Sequence, residues 1–440
     1  MEDHTLAAEA YIYGFPLVFD LSEVLRFTQI GLGSLPASPF NQFGHATKLA
    51  GPDDKFVSVN NDTVYSVAQL DLSGGPLLLE VPDTGGRYYV LQFVDAWTNN
   101  FAYVGSRATG TARGAYLLTP PGWDGAVPER VRQIPVPTMV ASIVGRWACD
   151  GSSDVPKVAV LQGRLALEPF DAAGSTPAGV PQPDAGVPDE LAFFERLRLW
   201  MQAFPPSETD REHQQRFGPL GLLDETSPYV DAPDFLVAAL VNGQEEGKSQ
   251  LETASRGGTV PINGWHVSPH LFDYNVDHLE LGTVDQPQWR LSDRTKARLD
   301  RAVAARIGLW GNHGYEAVYG QVFEDADGRQ LNGAGRYTIT FDEPPPVDGF
   351  WSLTMYDTPD YYLVDNPIDR YSIGDRTTGL RYGDDSLTLY LQHDEPDDEG
   401  ARSNWLPAPS GDFRPMLRLY QPRAAVLDGS YVLPPIVRTS

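Results

Sequence analysis

Apolar residues change their spacing several times along the chain, and each change marks a different kind of element. Over residues 5–27, Leu6, Ala10 and Tyr13, then Leu17, Leu21 and Leu25, recur at helical spacing, and Gly14 and Pro16 predict a break into two pieces. Over 56–121 the pattern becomes short apolar runs between turn residues. Residues 56–59, 77–81, 88–94 and 116–118 read as strands of an antiparallel sheet, separated by Gly74-Gly75, Gly85-Gly86 and Pro120-Pro121-Gly122. Residues 171–189 are Ala, Gly, Pro and Asp with almost no large apolar side chain, which predicts a solvated loop. Helical spacing then returns. Phe193, Leu197, Trp200, Met201 and Phe204 share one face behind Pro188, a second helix is expected over 235–250, and a third over 292–309 with Leu299, Val303, Ile307 and Trp310 on one stripe. Beyond Asp325-Ala326-Asp327-Gly328 the chain reads as strands to its end; that tetrapeptide lacks the later ligands of a calcium loop and reads as a hairpin turn.

One internal echo sharpens the picture. Residues 82–95 align without gaps on 344–357: a Pro-led turn, a double aromatic, an alternating strand, then Asp95 or Asp357. Both halves are therefore expected to contain a similar β-hairpin, with both faces of its second strand covered. The fold class predicted is mixed but mainly β, with two β-sandwich or jelly-roll-like domains of antiparallel strands joined by a helical segment. The expected boundaries are 1–170 for an N-terminal β-rich domain with leading helices, 171–190 for the loop, 191–320 for a helical bridge and 321–440 for the C-terminal domain.

Composition narrows the partners. A formal charge of −26 and a pI near 4.6 disfavour nucleic acid and anionic membrane surfaces, while a local Arg cluster still permits an anionic small molecule. A homo-oligomer stays open. With Cys149 as the sole cysteine, no internal disulfide or thiolate zinc site can form, and nothing beside it in sequence would activate the thiol. The start carries no signal-like segment and no apolar run reaches membrane length, so the expectation is cytoplasmic.

Gly-x-Ser-x-Gly, His-Glu-x-x-His, P-loop and Gly-x-Gly-x-x-Gly patterns are absent, and Pro269 interrupts the His266/His270 pair. What remains is a set of polar and aromatic segments. Asn60-Asn61-Asp62-Thr63-Val64-Tyr65-Ser66 follows a predicted strand where apolar residues would normally continue. It reads either as an Asx-turn that ties down a loop or as a ligand shell with Asp62 as base or metal ligand. Asp95 to Tyr103 contributes Trp97 and Asn100; later segments contribute Trp351, Tyr356, Arg370, Tyr371 and Arg418. Flat aromatic surface with a few fixed donors suits a small polar molecule, and equally suits a hydrogen-bonded corner between sheets.

Taken together, these segments resemble a bacterial family whose halves are known as domain of unknown function 1254 and domain of unknown function 1214. The likeness rests on Ala10-Tyr11-Ile12-Tyr13-Gly14-Phe15-Pro16-Leu17, Asn60 to Ser66, Asp71-Leu72-Ser73, Gly86-Arg87-Tyr88-Tyr89 and Asp95 to Asn100. It continues through Phe350 to Asp357, Asn366 to Ser372 and Asn404-Trp405-Leu406-Pro407-Ala408-Pro409. The resemblance implies a β-rich N-terminal domain, a helical bridge, a jelly-roll-like C-terminal domain and a ligand cleft between them, and it points towards hydrolysis, with phosphoesters among the candidates. Many members are exported; the missing signal segment sets this chain apart and favours an intracellular metabolic or tailoring step.

The expected function is an enzyme using acid–base or hydrolytic chemistry on a small polar molecule in that cleft. Asp62 or Asp95 would be base or metal ligand and Tyr65 or Tyr356 the acid. Arg370 or Arg418 would clamp an anion, and Asn60, Asn61, Trp97, Asn100, Trp351 and Tyr371 would complete the binding surface. Oxygen and amide ligands of this kind admit calcium or magnesium as a cofactor. The alternative is a non-catalytic small-molecule or carbohydrate-binding protein that exposes Trp97, Trp351 or Trp405 as a platform.

Overall fold

A computed structural model describes residues 2–55, 58–170, 176–256, 260–384 and 386–439. The strands of the first half are β1 (Phe43–His45), β2 (Thr63–Asp71), β3 (Leu77–Val81), β4 (Tyr89–Asp95), β5 (Asn100–Gly105), β6 (Gly114–Thr119), β7 (Arg132–Pro135), β8 (Val140–Ala148) and β9 (Ala166–Pro169). Those of the second are β10 (Trp265–Val267), β11 (Ala317–Val322), β12 (Tyr337–Phe341), β13 (Trp351–Asp357), β14 (Ser372–Gly374), β15 (Leu387–Gln392), β16 (Trp405–Pro407), β17 (Phe413–Tyr420) and β18 (Val437–Arg438).

Among the described residues they form two sandwiches. The first stacks a sheet ordered β1-β2-β8-β4-β5 on one ordered β7-β6-β3-β9; the second stacks β10-β11-β17-β13-β14 on β16-β15-β12-β18. Strand for strand, the two orders are the same. The sense of every pairing also matches, including the parallel pair in each unit, β6 with β7 and β15 with β16. The echo between 82–95 and 344–357 is thus the visible trace of a whole-domain repeat: β4 and β13 hold equivalent central places, each flanked by the strands that correspond. The alternating apolar side chains of β3 and β6 meet Tyr89, Leu91 and Phe93 of β4 in one core, and those of β12 and β15 meet Trp351, Leu353 and Leu417 in the other.

The helices are α1 (Glu2–Ile30), α2 (Val155–Gln162), α3 (Ala192–Ala203), α4 (Glu208–Gln214), α5 (Asp234–Arg256), α6 (Arg294–Gly308), α7 (Glu399–Ser403) and α8 (Ala424–Leu427). Helix α1 packs on α3, α5 and α6, so the leading helix joins the bridging helices in one layer. None of the described helices is long and apolar enough to cross a membrane.

Several elements differ from expectation for identifiable reasons. Gly14 and Pro16 do not break α1, which runs through both. An interior Pro costs about 3 kcal/mol of helix propensity, but Tyr13, Leu17 and Leu21 bury against Leu197, Trp200 and Leu240 across this stretch. Gly14 has its own role: a Cβ there would lie 2.4 Å from Leu197 Cδ1, so a larger residue would force the Leu197 side chain of α3 to shift. In α6 the buried side is set by Ala297, Arg301, Ala302, Ala304 and Ala305 as well as Val303, and Ile307 of the expected stripe is exposed. Of the strand expected over 56–59, Phe56 and Val57 lie outside the described residues, while Ser58 turns with φ 54°. Residues 171–175 of the expected loop also lie outside. Its later part is not simply solvated, since Val180 is buried and the Pro181 carbonyl accepts Trp200 Nε1 at 2.8 Å. The turn at Asp325 is a hairpin closed by its own carboxylate, which accepts the Asp327 and Arg329 amides at 2.9 and 3.0 Å.

Candidate functional site between the sandwiches

The segment just before β2 crosses to the C-terminal sandwich, and the segment just before β11 crosses back. Asn60 makes the first crossing rigid: its Oδ1 accepts the Asp62 and Thr63 amides at 2.6 and 3.1 Å, an Asx-turn that starts β2, while its Nδ2 donates to Tyr420 OH at 2.5 Å. Asp62 is thereby held against the partner sandwich. One of its carboxylate oxygens accepts the Ser352 hydroxyl and the other accepts Tyr420 OH at 2.9 Å. Asn61 links Ala50, through its amide at 2.5 Å, to Ser372, whose hydroxyl donates to it at 3.1 Å. In the return crossing Glu316 accepts Tyr88 OH at 3.0 Å and Arg107 Nε at 2.5 Å.

A cleft of about 530 Å³ opens at the first crossing. Its walls are residues 49–51, Asn61 and Asp62, residues 149–152, Trp351 and Ser352, residues 368–372, and Gly374 with Arg376, Thr377 and Thr378. Arg376 stacks 3.5 Å from the Phe350 ring centroid, donates to Asp150 at 3.0 Å and reaches the Asp62 carbonyl at 2.8 Å. Arg370 donates to the carbonyls of Ser403 and Trp405 at 3.1 and 2.8 Å, and burial holds its guanidinium below the usual range. Burial, with Asp369 beside it, pushes the Tyr371 phenol up to about 12, so Tyr371 is a donor at neutral pH. Burial and then Asp154 push the Cys149 thiol up to about 11, which removes it as a nucleophile.

Of the residues singled out from sequence, Asn61, Asp62, Trp351, Arg370 and Tyr371 therefore share one cleft, with Asn60 directly behind it. Tyr356 and Arg418 lie deeper, at the same domain boundary: Tyr356 OH donates to the Val59 carbonyl at 2.6 Å, and Arg418 donates to Thr354 Oγ1 at 2.9 Å and to Tyr356 OH at 2.8 Å. Tyr65 carries the Arg146 guanidinium 5.4 Å above its ring. Asp95, Trp97 and Asn100 do not line the cleft. Asp95 closes the β4–β5 turn by accepting the Trp97 and Asn99 amides and Asn99 Nδ2, each at 2.9 Å. Trp97 Nε1 donates to the Phe204 carbonyl and Asn100 Nδ2 to that of Gly311, both at 2.8 Å.

Sequence reasoning assigned no role to Ser352, Tyr420, Arg376 or Arg146. A usable signal existed for Arg146, an isolated Arg inside the apolar run Ile143-Val144-Gly145-Arg146-Trp147, just as Arg418 is isolated in Met416-Leu417-Arg418-Leu419. No group of three His, Cys, Asp or Glu side chains suited to a metal ion occurs among the described residues. Asp62 has hydroxyl donors on both oxygens, so these side chains do not make the carboxylate-rich cage that calcium or magnesium takes.

The class defined by this geometry is a duplicated β-sandwich protein with a polar cleft where the repeats meet. Residues 40–169 match the family described as "Protein of unknown function (DUF1254)" and residues 316–424 match "Protein of unknown function (DUF1214)". The chain belongs to the family that carries these two domains in this order. The crystal structure of the VPA0106 protein from Vibrio parahaemolyticus is 23% identical over 100% of both chains with a TM-score of 0.75, and it shares this fold. An uncharacterized protein from Burkholderia cenocepacia aligns over 98% of this chain and 89% of its own at 13% identity and a TM-score of 0.43. No curated protein matches the sequence.

Proposed function

We propose that the chain is an enzyme that binds a small polar molecule in the cleft between its repeats and acts on it by acid–base or hydrolytic chemistry. Asp62 carries the reading. Its side chain is nearly buried, at 4% exposure, yet it lines a solvent-reaching cleft and holds an oriented hydroxyl, Ser352, on that same wall. A carboxylate in hydrogen-bond contact with a hydroxyl at a concave surface can take a proton from that hydroxyl, or from a water that replaces it, as either attacks an electrophilic centre. Tyr420 keeps its proton, because burial and then Asp62 push its phenol well above the usual range, and so it serves as the fixed donor opposite. Arg370, Arg376, Tyr371 and Asn61 supply the donors that orient a polar ligand.

A carbohydrate platform, the alternative reading, requires an exposed indole ring. Trp97, Trp351 and Trp405 are each 1% exposed, which favours the enzyme. The test is a thermal-shift screen of the full chain against small polar metabolites, repeated with Asp62→Asn. A ligand at about a hundredfold its Kd stabilises the fold by roughly 2.7 kcal/mol. The proposal expects at least one compound to shift the wild type and not Asp62→Asn. Equal shifts in both proteins would remove Asp62 from the site.

A further inference from the structure

Two of the five buried arginines among the described residues face a carboxylate: Arg198 meets Glu195 at 2.8 Å and Arg301 approaches Asp210 at 3.7 Å, and the half-buried Arg107 likewise meets Glu316 at 2.5 Å. The other three have no carboxylate partner, and all three sit at the domain boundary. Arg146, Arg414 and Arg418 are 7%, 3% and 3% exposed. Arg146 donates to Gln92 Oε1 and the Trp310 carbonyl, both at 2.8 Å. Arg418 donates to Thr354 Oγ1, Tyr356 OH and the Ser58 carbonyl. Arg414 donates to Gln321 Oε1 at 2.7 Å and to the Ser58 hydroxyl, and its Nε has no partner. Every acceptor is neutral.

The domain repeat relates two of them. On β8, Arg146 pairs with Val90 of β4 and Tyr65 of β2; on β17, Arg418 pairs with Ser352 of β13 and Tyr319 of β11. Val90 and Ser352 correspond in the echo, so Arg146 and Arg418 are the same position of the two repeats, each beside an equivalent tyrosine. Tyr420 is their common neighbour, within electrostatic reach of both guanidiniums, and it bonds Asp62 on the cleft wall.

Charge decides what this cluster lacks. Asp62 acts on Arg418, and its oxygens are already engaged by two hydroxyls. The nearby phenols Tyr356 and Tyr420 are pushed up, first by burial, and stay neutral. The rings of Tyr361 and Tyr356, 4.3 and 5.2 Å from Arg414, offset part of the cost of its burial. They supply no counter-charge. Three buried guanidiniums whose hydrogen bonds end on neutral acceptors leave positive charge in the interior, with Glu316 nearby already taken by Arg107. Buried charge of that kind calls for an anion.

We infer that Arg146 and Arg418, backed by Arg414 and by the hydroxyls of Tyr65, Tyr319 and Tyr420, receive the oxyanion of the molecule held in the cleft, a carboxylate or a phosphate group. The inference rests on the cleft being the ligand site. Paired guanidinium forks suit both oxyanions.

The experiment titrates the full-length protein with sodium phosphate and with sodium acetate, against sodium chloride at matched ionic strength, and reads Tm. The wild type is expected to show a saturable rise with phosphate or acetate beyond that with chloride, and the responding anion names the ligand's acidic group. Arg146→Lys and Arg418→Lys, which keep the charge and lose the fork, should each weaken apparent affinity about tenfold or more. Arg113→Ala, an exposed arginine paired with Glu80 away from the cleft, should keep the response. Tyr65→Phe with Tyr319→Phe should weaken it several-fold and serves if either Lys variant fails to fold. The inference is overturned if neither anion exceeds chloride, or if the Lys variants, or the folded Phe pair, respond as the wild type does. A metabolite shift lost in Asp62→Asn without any anion response would keep the cleft and overturn the anion seat. An anion response without any metabolite shift would do the reverse.

Discussion

Gly374 offers a sharp test of how the cleft wall is built. It pairs with Ser352 across β13 and β14, and a Cβ placed on it would lie 2.1 Å from the Trp351 carbonyl oxygen and 2.9 Å from Ser352 Cα, where ordinary contact is 3.4–4 Å. The atoms met are backbone of a central strand, so no side chain can swing aside to admit the methyl group. In Gly374→Ala, β14 must retreat by about an ångström. That step gives up one or two strand hydrogen bonds worth about 1 kcal/mol each and adds overpacking strain of about 1–3 kcal/mol. Because β14 is a three-residue edge strand it can peel rather than compress, so the low end of the sum applies, about 2–3 kcal/mol. At roughly 2–4 °C per kcal/mol for domains of this size, the loss is about 5–10 °C in Tm. Gly411→Ala is the matched control: nothing lies within 4 Å of its Cβ, and the change should be neutral or stabilise by about 0.4–1 kcal/mol. Scanning fluorimetry compares the two directly. If Gly374→Ala and Gly411→Ala melt together, the close approach that shapes this wall is wrong.

Three further outcomes follow from particular contacts. Asp95→Asn sets an amide donor against Asn99 Nδ2 and weakens the β4–β5 turn; urea unfolding should show a loss of about 1–3 kcal/mol, with affinity for any cleft ligand unchanged. Cys149, buried with its thiol held up at about 11, should resist iodoacetamide at pH 8 in the native protein and react once urea unfolds it; rapid native labelling would contradict this environment. The Arg87 bidentate contact holds the Asp154 carboxyl at about 2, below its ordinary 3.8. A depressed folded-state value stabilises the fold above 3.8 and loses that contribution as pH falls towards 2. The stability gap between wild type and Asp154→Asn should therefore be flat near neutrality and close in acid, and a gap independent of pH would refute the pairing.

Much of the fold was legible in sequence because periodicity reports which side of an element is covered. The turn residues around Leu77 to Val81 and the alternation in Tyr89 to Asp95 marked strands that the structure contains. The echo between Pro82 and Pro344 pointed at the repeat, yet not at its extent, because strand order is a long-range property that short similarities do not encode. Pro16 misled because its penalty is local and the packing of α1 that outweighs it is tertiary. At the site, Asn60 to Asp62 stood out because polar residues interrupted a strand pattern. Ser352 and Tyr420 received no role, since each lies in a strand and acquires meaning only when Asp62 arrives from the other repeat. Asp95 looked the same as Asp62 in sequence; what separates them is which surface each turn faces.

The most direct test of the central claim is turnover. A compound that shifts the Tm of the wild type should be incubated with the wild type, Asp62→Asn and Ser352→Ala, and followed by proton NMR. The account predicts conversion by the wild type, loss of about a hundredfold or more in rate for Asp62→Asn, and a large loss for Ser352→Ala with the fold intact. Conversion by Asp62→Asn at the wild-type rate would contradict it.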